Sequence, residues 1–257
     1  MPLGFLRRLS GDRRSTAANR HLGLSLAFVA GAMNAGGFLA VAQYTSHMTG
    51  IVSSIADNLA VNNLRLVLVG LGSVVAFVAG AAYSAILINW GRHHRTHSRY
   101  AYPLLWEAGL LLVFGLMGGT LELKSGFISI TVMLLCFLMG LQNAIISKIS
   151  NAEIRTTHMT GIVTDIGIEL GKMVYLNSQK ESRRYQPVHA NWRRLGLLVS
   201  LLAAFSAGGL AGALGFKYLG YISTVPLAVL LIVLAIVPVV DDVRTRTRLL
   251  LRDRRRH

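Results

Sequence analysis

Apolar residues gather into six long runs, Leu22 to Val41, Leu64 to Trp90, Ala101 to Gly119, Phe127 to Ile149, Leu195 to Phe216 and Tyr221 to Val240, separated by polar or basic stretches. At about 1.5 Å per helical residue, about 20 residues cross a hydrocarbon core of about 30 Å, and each run is near that length. Two shorter segments follow another rule. In Ile51 to Asn63, the apolar Ile51, Val52, Ile55, Ala56 and Leu59 recur at helical spacing opposite Ser53, Ser54, Asp57 and Asn58. In Ile162 to Val174, Ile162, Val163, Ile166 and Leu170 stand opposite Thr164, Asp165 and Glu169. A segment of about 13 residues reaches only about 20 Å, so these two are amphipathic helices too short to span.

Each short segment follows the same polar turn. Thr45-Ser46-His47-Met48-Thr49-Gly50-Ile51-Val52 returns as Thr156-Thr157-His158-Met159-Thr160-Gly161-Ile162-Val163, with Ser46 answered by Thr157 and every other position identical. Upstream, Gly31-Ala32-Met33-Asn34-Ala35 matches Gly140-Leu141-Gln142-Asn143-Ala144, and downstream Ala76-Phe77-Val78-Ala79-Gly80 matches Ala204-Phe205-Ser206-Ala207-Gly208. Internal similarity of this extent marks a duplication. The division is a basic tail over 1–21, one membrane repeat over 22–126, a second over 127–240 and a basic tail over 241–257. The first run also has the leader, core and small-residue site of a signal peptide at Ala40-Val41-Ala42, but it is long for one and its glycine pattern recurs in mid-chain, so it is read as retained.

Composition settles the solvent. Of 257 residues, 53% are apolar and 14% charged, and the mean hydropathy is +0.52. That is the balance of a bilayer protein. The net charge of +15 would otherwise point to nucleic acid, yet the basic residues sit between spanning runs rather than on one soluble face, and no nucleic-acid partner is expected. They orient the chain instead. With only the six long runs crossing and both termini cytoplasmic, all of the 26 Lys and Arg except Arg65, Lys124 and Lys217 lie inside. Three spans per copy is an odd number, so the second copy enters upside down. The expected fold is all-α and polytopic: six transmembrane helices in two inverted three-helix repeats, each with a short re-entrant or interrupted helix after its His-Met-Thr-Gly turn.

The turns carry the candidate chemistry. Thr49 and Thr160, or Ser46 and Thr157, are placed to cap the short helices, and Gly50 and Gly161 let backbone come close to a ligand. Free N–H groups at such a helix start suit an anion or a polar solute oxygen, and His47 and His158 add a hydrogen bond or a charge. The plainer reading is that these residues only satisfy a broken helix in lipid. Asn34 and Asn143 sit at matching points of the first and fourth runs, where interhelical hydrogen bonding is their simplest role. Glu107, an acid inside the third run, is a proton-coupling candidate, because such a group is costly unless paired or wetted. The His-Met pairs form a soft donor set of the kind Cu(I) takes, but no thiol-rich context accompanies them and no metal or cofactor is expected. Cys136 stands alone in an apolar run and reads as packing. Gly208 and Gly212 form a GxxxG, suited to close helix packing within the chain or to a homo-oligomer.

The paired His-Met-Thr-Gly turns, Asn143 in its glycine-rich setting and Glu107 resemble the YoaK-like family of bacterial inner-membrane proteins, a family of unknown function, over about Leu22 to Val240. The resemblance implies a polytopic protein of the bacterial inner membrane and brings no substrate or catalytic residue. From the residues themselves, the leading expectation is a transporter or channel for a small polar, preferably anionic, solute at a midplane site lined by both turns. The competing class is a non-transporting module that binds a protein or lipid through its basic inner face and arginine-rich tail. No catalytic motif is legible, and the chain is not read as an enzyme.

Overall fold

A computed structural model describes residues 16–94, 96, 98–118, 125–150, 154, 156–175, 188–236 and 239–240. Helices α1 (Thr16–Val41), α2 (Met48–Ala60), α3 (Leu64–His93), α4 (Ala101–Gly118), α5 (Ser125–Ile149), α6 (Met159–Val174) and α7 (Trp192–Leu219) lead through a 3-10 turn, Gly220–Ser223, into α8 (224–236). No strand occurs among the described residues. The expected tails at 1–15 and 241–257, and the links holding Lys124 and Lys180, lie outside them. One boundary moves: α1 begins at Thr16, so part of the stretch expected as a tail, with Arg20 and His21, belongs to the helix. Ala17 and Ala18, strong helix formers, carry it there.

Four segments are long and apolar enough to cross a membrane, Asn19–Val41, Leu64–His93, Ile130–Ile149 and Trp192–Ile236, with Ala101–Leu116 a shorter apolar helix. The last of the four has 45 residues. As one rod it would reach about twice a hydrocarbon core, and it breaks at Gly220, whose φ of 62° lies in the left-handed region that glycine enters without strain. The break brings the Phe216 and Tyr221 rings to 6.0 and 5.4 Å from Phe114 of α4. At the middle of the bundle α5 buries Leu138, Met139, Leu141, Ile145 and Ile146 completely. On the outside, α3 exposes Leu66, Leu68, Leu71, Val75, Val78 and Ile86, an apolar stripe that a bilayer solvates and water does not. The molecule is a helical membrane protein.

Two parallel crossings hold the bundle, and both are built the same way. A Cβ on Gly31 of α1 would meet the Phe205 carbonyl of α7, and one on Gly208 of α7 would meet the Phe28 carbonyl of α1. Gly212 faces Ala32 in the next turn. Likewise Gly80 of α3 lies on the Phe137 carbonyl and Gly140 of α5 on the Phe77 carbonyl. Phe28 with Gly208 leads to Ala32 with Gly212, and Gly72 with Met133 leads to Gly80 with Leu141, numbers rising together, so α1 runs parallel to α7, and α3 to α5. Between the pairs, Gly23 meets Ile146 and Gly37 meets Leu135, so α1 and α5 are antiparallel. The GxxxG of α7 is therefore used inside the chain, where small residues let two backbones touch.

Gly140→Ala should lower the thermal midpoint in detergent, losing about 1–3 kcal/mol to overpacking against fixed backbone. Gly109→Ala, with nothing within 4 Å of the added carbon, should hold or raise it by up to about 1 kcal/mol through helix propensity. Equal midpoints for the two variants would count against the crossing.

Candidate functional site

The site is built from a chain that doubles back. After Val41, Ala42 takes φ 54° and donates its N–H to Phe38 O at 2.7 Å, closing α1. A left-handed alanine costs about 1–2 kcal/mol, and it turns the chain inward. Ser46 then donates its N–H and Oγ to Asn34 Oδ1 at 3.3 and 2.8 Å. Asn34 stands about two turns, roughly 10 Å, before the end of α1, so α2 starts well inside that end. The second copy repeats the construction. Thr157 Oγ1 and Thr156 Oγ1 donate to Asn143 Oδ1 at 2.8 and 3.5 Å, again close to two turns short of the end of α5.

These bonds revise two expectations. Among the described residues, the bonds that Asn34 and Asn143 accept come from no neighbouring span; each clamps the turn that follows its own helix. Nor do the hydroxyl residues cap the short helices. His47 and His158 occupy the N-cap positions without a side-chain cap bond, Ser46 and Thr157 being committed to the asparagines, while Thr49 and Thr160 fall within the first turn. A histidine ring cannot fold back onto N–H groups as a short oxygen side chain does. Instead it lies over the first turn: a Cβ on Gly50 would strike the His47 imidazole, and one on Gly161 the His158 imidazole. The His-Met-Thr-Gly spacing is thus explained by glycine making room for the ring. The N–H groups of Thr49, Gly50, Thr160 and Gly161 are left without a side-chain cap at the positive end of a helix dipole.

A cleft of about 1450 Å³ opens beside the second turn, lined by His158, Thr160 and Gly161, by Arg20 of α1, and by Arg193 and Arg194 of α7. Its apolar wall comes from Leu24, Ile154, Leu197 and Leu201. His47, Thr49, Gly50, Asn34, Asn143 and Glu107 are not among its lining residues. Both histidines are exposed.

Short α6 is fastened to α7 at two points. Arg194 Nη2 donates to Asp165 Oδ2 at 2.9 Å, and the Asn191 N–H donates to Glu169 Oε2 at 2.7 Å while Lys172 Nζ donates to Oε1 at 2.9 Å. Glu169, on the polar face of the short helix, is consequently 1% exposed. The Asn191 N–H, then Lys172, hold its carboxyl below the usual carboxylate range. On α2 the matching positions are neutral and bond within the helix: Asn58 Nδ2 donates to Ser54 O and Oγ at 2.7 and 3.1 Å. Asn63 and Asn191 cap α3 and α7 alike, accepting from the N–H groups of Leu66 and Arg194 at 3.3 and 3.1 Å. Arg194 and Asn191 escaped the sequence reading because a basic interfacial stretch looks the same whether or not it lines a cleft.

Glu107 lies on the inner face of α4 with no exposure, and neither carboxyl oxygen has a hydrogen-bond partner among the described residues. Buried Gln142 is half satisfied, its Nε2 donating to Leu26 O at 3.3 Å and its Oε1 unpartnered among the described residues. Gln142 belongs to the stretch Gly140-Leu141-Gln142-Asn143-Ala144, whose counterpart in the first copy has Met33 at that place. Among the described residues no group of three or more His, Cys, Asp or Glu side chains is placed to hold a metal.

Long apolar helices, a glycine-crossed core and two turns clamped inside it define a polytopic helical membrane protein. The chain belongs to a family described as a protein of unknown function, DUF1275, which matches residues 22–237 and agrees with the YoaK-like resemblance. No curated protein and no solved structure matches the chain.

Because its partners lower the pKa of Glu169, its contribution to the α6–α7 contact is complete above the ordinary glutamate value of about 4.3 and fades as pH falls through the lowered folded value. Protection of the Asn191 amide, taken relative to its intrinsic exchange rate at each pH, should fall in that acid range. In Glu169→Gln the acid step should vanish, and an unchanged profile would assign the step to another group.

Proposed function

We propose that the protein carries a small polar solute, preferably an anion, across the bacterial inner membrane as a transporter or channel, using two inverted three-helix repeats of six spans with both termini cytoplasmic. The observation that carries this reading is the clamped turn. Twice the chain breaks about 10 Å inside a helix end and starts a new helix whose first N–H groups no side chain caps, and one such turn opens on a cleft rich in arginine. Backbone of this kind is tolerated at membrane depth where protein buries it or water reaches it. The opposed directions of α1 and α5, and the matched crossings of α1 with α7 and α3 with α5, support an inverted duplication.

In this reading His158, Thr160 and Gly161 meet the solute from one face and His47, Thr49 and Gly50 from the other, while Asn34 and Asn143 hold the two turns in position. Glu107 is the proton-coupling residue: an unpartnered acid in the core has a reason to remain if a proton is taken up and released there.

Uptake of nitrate, acetate and inorganic phosphate into proteoliposomes tests both assignments. His47→Ala and His158→Ala should each cut uptake of the transported anion about tenfold or more, the loss of one hydrogen bond to a charged group. Unchanged uptake in the double variant would mean that the site is elsewhere. Glu107→Gln should abolish acceleration by an imposed pH gradient yet retain exchange of labelled for unlabelled anion; full gradient response in that variant would remove Glu107 from the coupling.

A further inference from the structure

We propose that the anion taken at the second turn is an oxyanion, and that it binds by replacing Asp165 on Arg194, so that Asp165 acts as a built-in competitor. The proposal rests on the transport reading above and names the substrate class and specificity residue of that same cleft. Three observations carry it. First, Asp165 and Arg194 both line the cleft and face each other across it at 2.9 Å. The Arg194 guanidinium already holds a carboxylate oxygen, and its planar fork fits two oxygens of one head group better than it fits a spherical ion.

Second, the pair is loosely held. The Arg194 and Asp165 side chains are 53% and 37% exposed, and a pair so solvated shifts an equilibrium by no more than about fivefold. An incoming anion can exchange with it. Third, the cleft is cationic beyond that pair: among the described residues Arg20, Arg193 and Arg194 line it against the single carboxylate of Asp165. Such an excess draws anions in and leaves Arg194 the group that selects among them.

Geometry then gives the exchange a consequence. The contacts Asp165 to Arg194 and Glu169 to Asn191 run α6 antiparallel to α7, so the turn at His158 lies deeper than Arg194, toward Leu201. Arg194 precedes Leu201 by about two turns, roughly 10 Å. Once Asp165 is displaced, the polar ties of α6 to α7 reduce to Glu169 at its outer half, while Ile162 in the core and the Asn143 clamp go on holding the inner half with its turn in place for the ligand. The first copy has Ser54 where the second has Asp165 and Leu66 where it has Arg194, so the exchange belongs to one end of the bundle.

Titration calorimetry on the full chain in zwitterionic nanodiscs, with acetate, nitrate, inorganic phosphate and chloride as probes, tests the exchange. Asp165→Asn should tighten acetate about two- to fivefold, the hold of an exposed pair of this kind. Asp165→Ser, which introduces the residue type of Ser54, should do the same and guards against misfolding of the amide variant. Arg194→Lys should weaken acetate about tenfold and chloride less than about twofold, because an ammonium keeps the charge and loses the fork. Unchanged or weaker acetate binding in both Asp165 variants, or equal losses for acetate and chloride in Arg194→Lys, overturns the exchange. If wild-type binding disappears in His158→Ala yet ignores Asp165, only the exchange falls; if no probe binds wild type or either Asp165 variant, the anion reading of the cleft falls with it. Loss of the Asp165→Asn gain in nanodiscs containing anionic lipid would make a lipid phosphate the occupant and overturn the solute assignment.

Discussion

Backbone touching backbone at the glycine crossings is the contact on which the remaining geometry depends. Gly31 and Gly208 leave α1 and α7 no side chain between them, and Gly80 and Gly140 do the same for α3 and α5. In lipid there is little hydrophobic gain in bringing two apolar helices together, so close packing of small residues must supply the attraction. That contact also fixes the axial register of each pair. Asn34 lies one turn beyond Gly31, and Asn143 one turn beyond Gly140, so the depth at which each turn is clamped follows from the crossing. Loosening the crossing would move the turns before it unfolded the protein.

The clamps explain why a polar sequence sits where apolar residues would pack better. A chain that reverses inside a bundle exposes carbonyl and N–H groups that must find partners. Asn34 and Asn143 meet part of that demand by accepting from Ser46 and Thr157. The hydroxyls so engaged are unavailable as caps, which leaves the start of each short helix to histidine and to whatever reaches it from outside. One local bond therefore both stabilises the turn and leaves its helix end open. In the proposed transport reading, a structural role and a ligand-facing role are consequences of the same hydrogen bond rather than rival explanations of it.

Much of this was legible in the sequence because it is periodic or repeated. The apolar runs, the short amphipathic helices and the paired turns all appear as patterns in one dimension, and the helix boundaries fall within a few residues of those patterns. The four Phe-x-x-Gly sites were visible too, although which would meet which was not, since pairing in space leaves no mark on local spacing. The clamp by Asn34 was misread as a link between spans because a polar residue on a membrane helix has many possible partners and the nearest, a turn folding back on its own helix, is invisible to periodicity. Val52 and Leu59 were placed on a packing face and are exposed. Their segment shields only Ile51 and Ile55, since α3 covers it from one side and lipid can solvate the rest. Glu169, on the polar face that its spacing marks, is buried by Lys172 one turn on and by the Asn191 N–H at the start of α7, a distant partner that periodicity does not reveal.

What the duplication preserved and what it let change separate scaffold from chemistry. The crossings, the asparagine clamps, the ring over glycine and the asparagine caps of α3 and α7 occur in both copies. The charged contacts of α6 do not: Asn58 and Ser54, bonded to each other within α2, stand where Glu169 and Asp165 bind Asn191, Lys172 and Arg194. Neutral hydrogen bonds respond weakly to salt and pH across the ordinary range, whereas exposed ion pairs weaken with both screening and competing ions. Two ends that share a backbone plan therefore answer different conditions. A symmetric frame with one charge-fastened end has a direction built into it, which a pair of identical turns would lack.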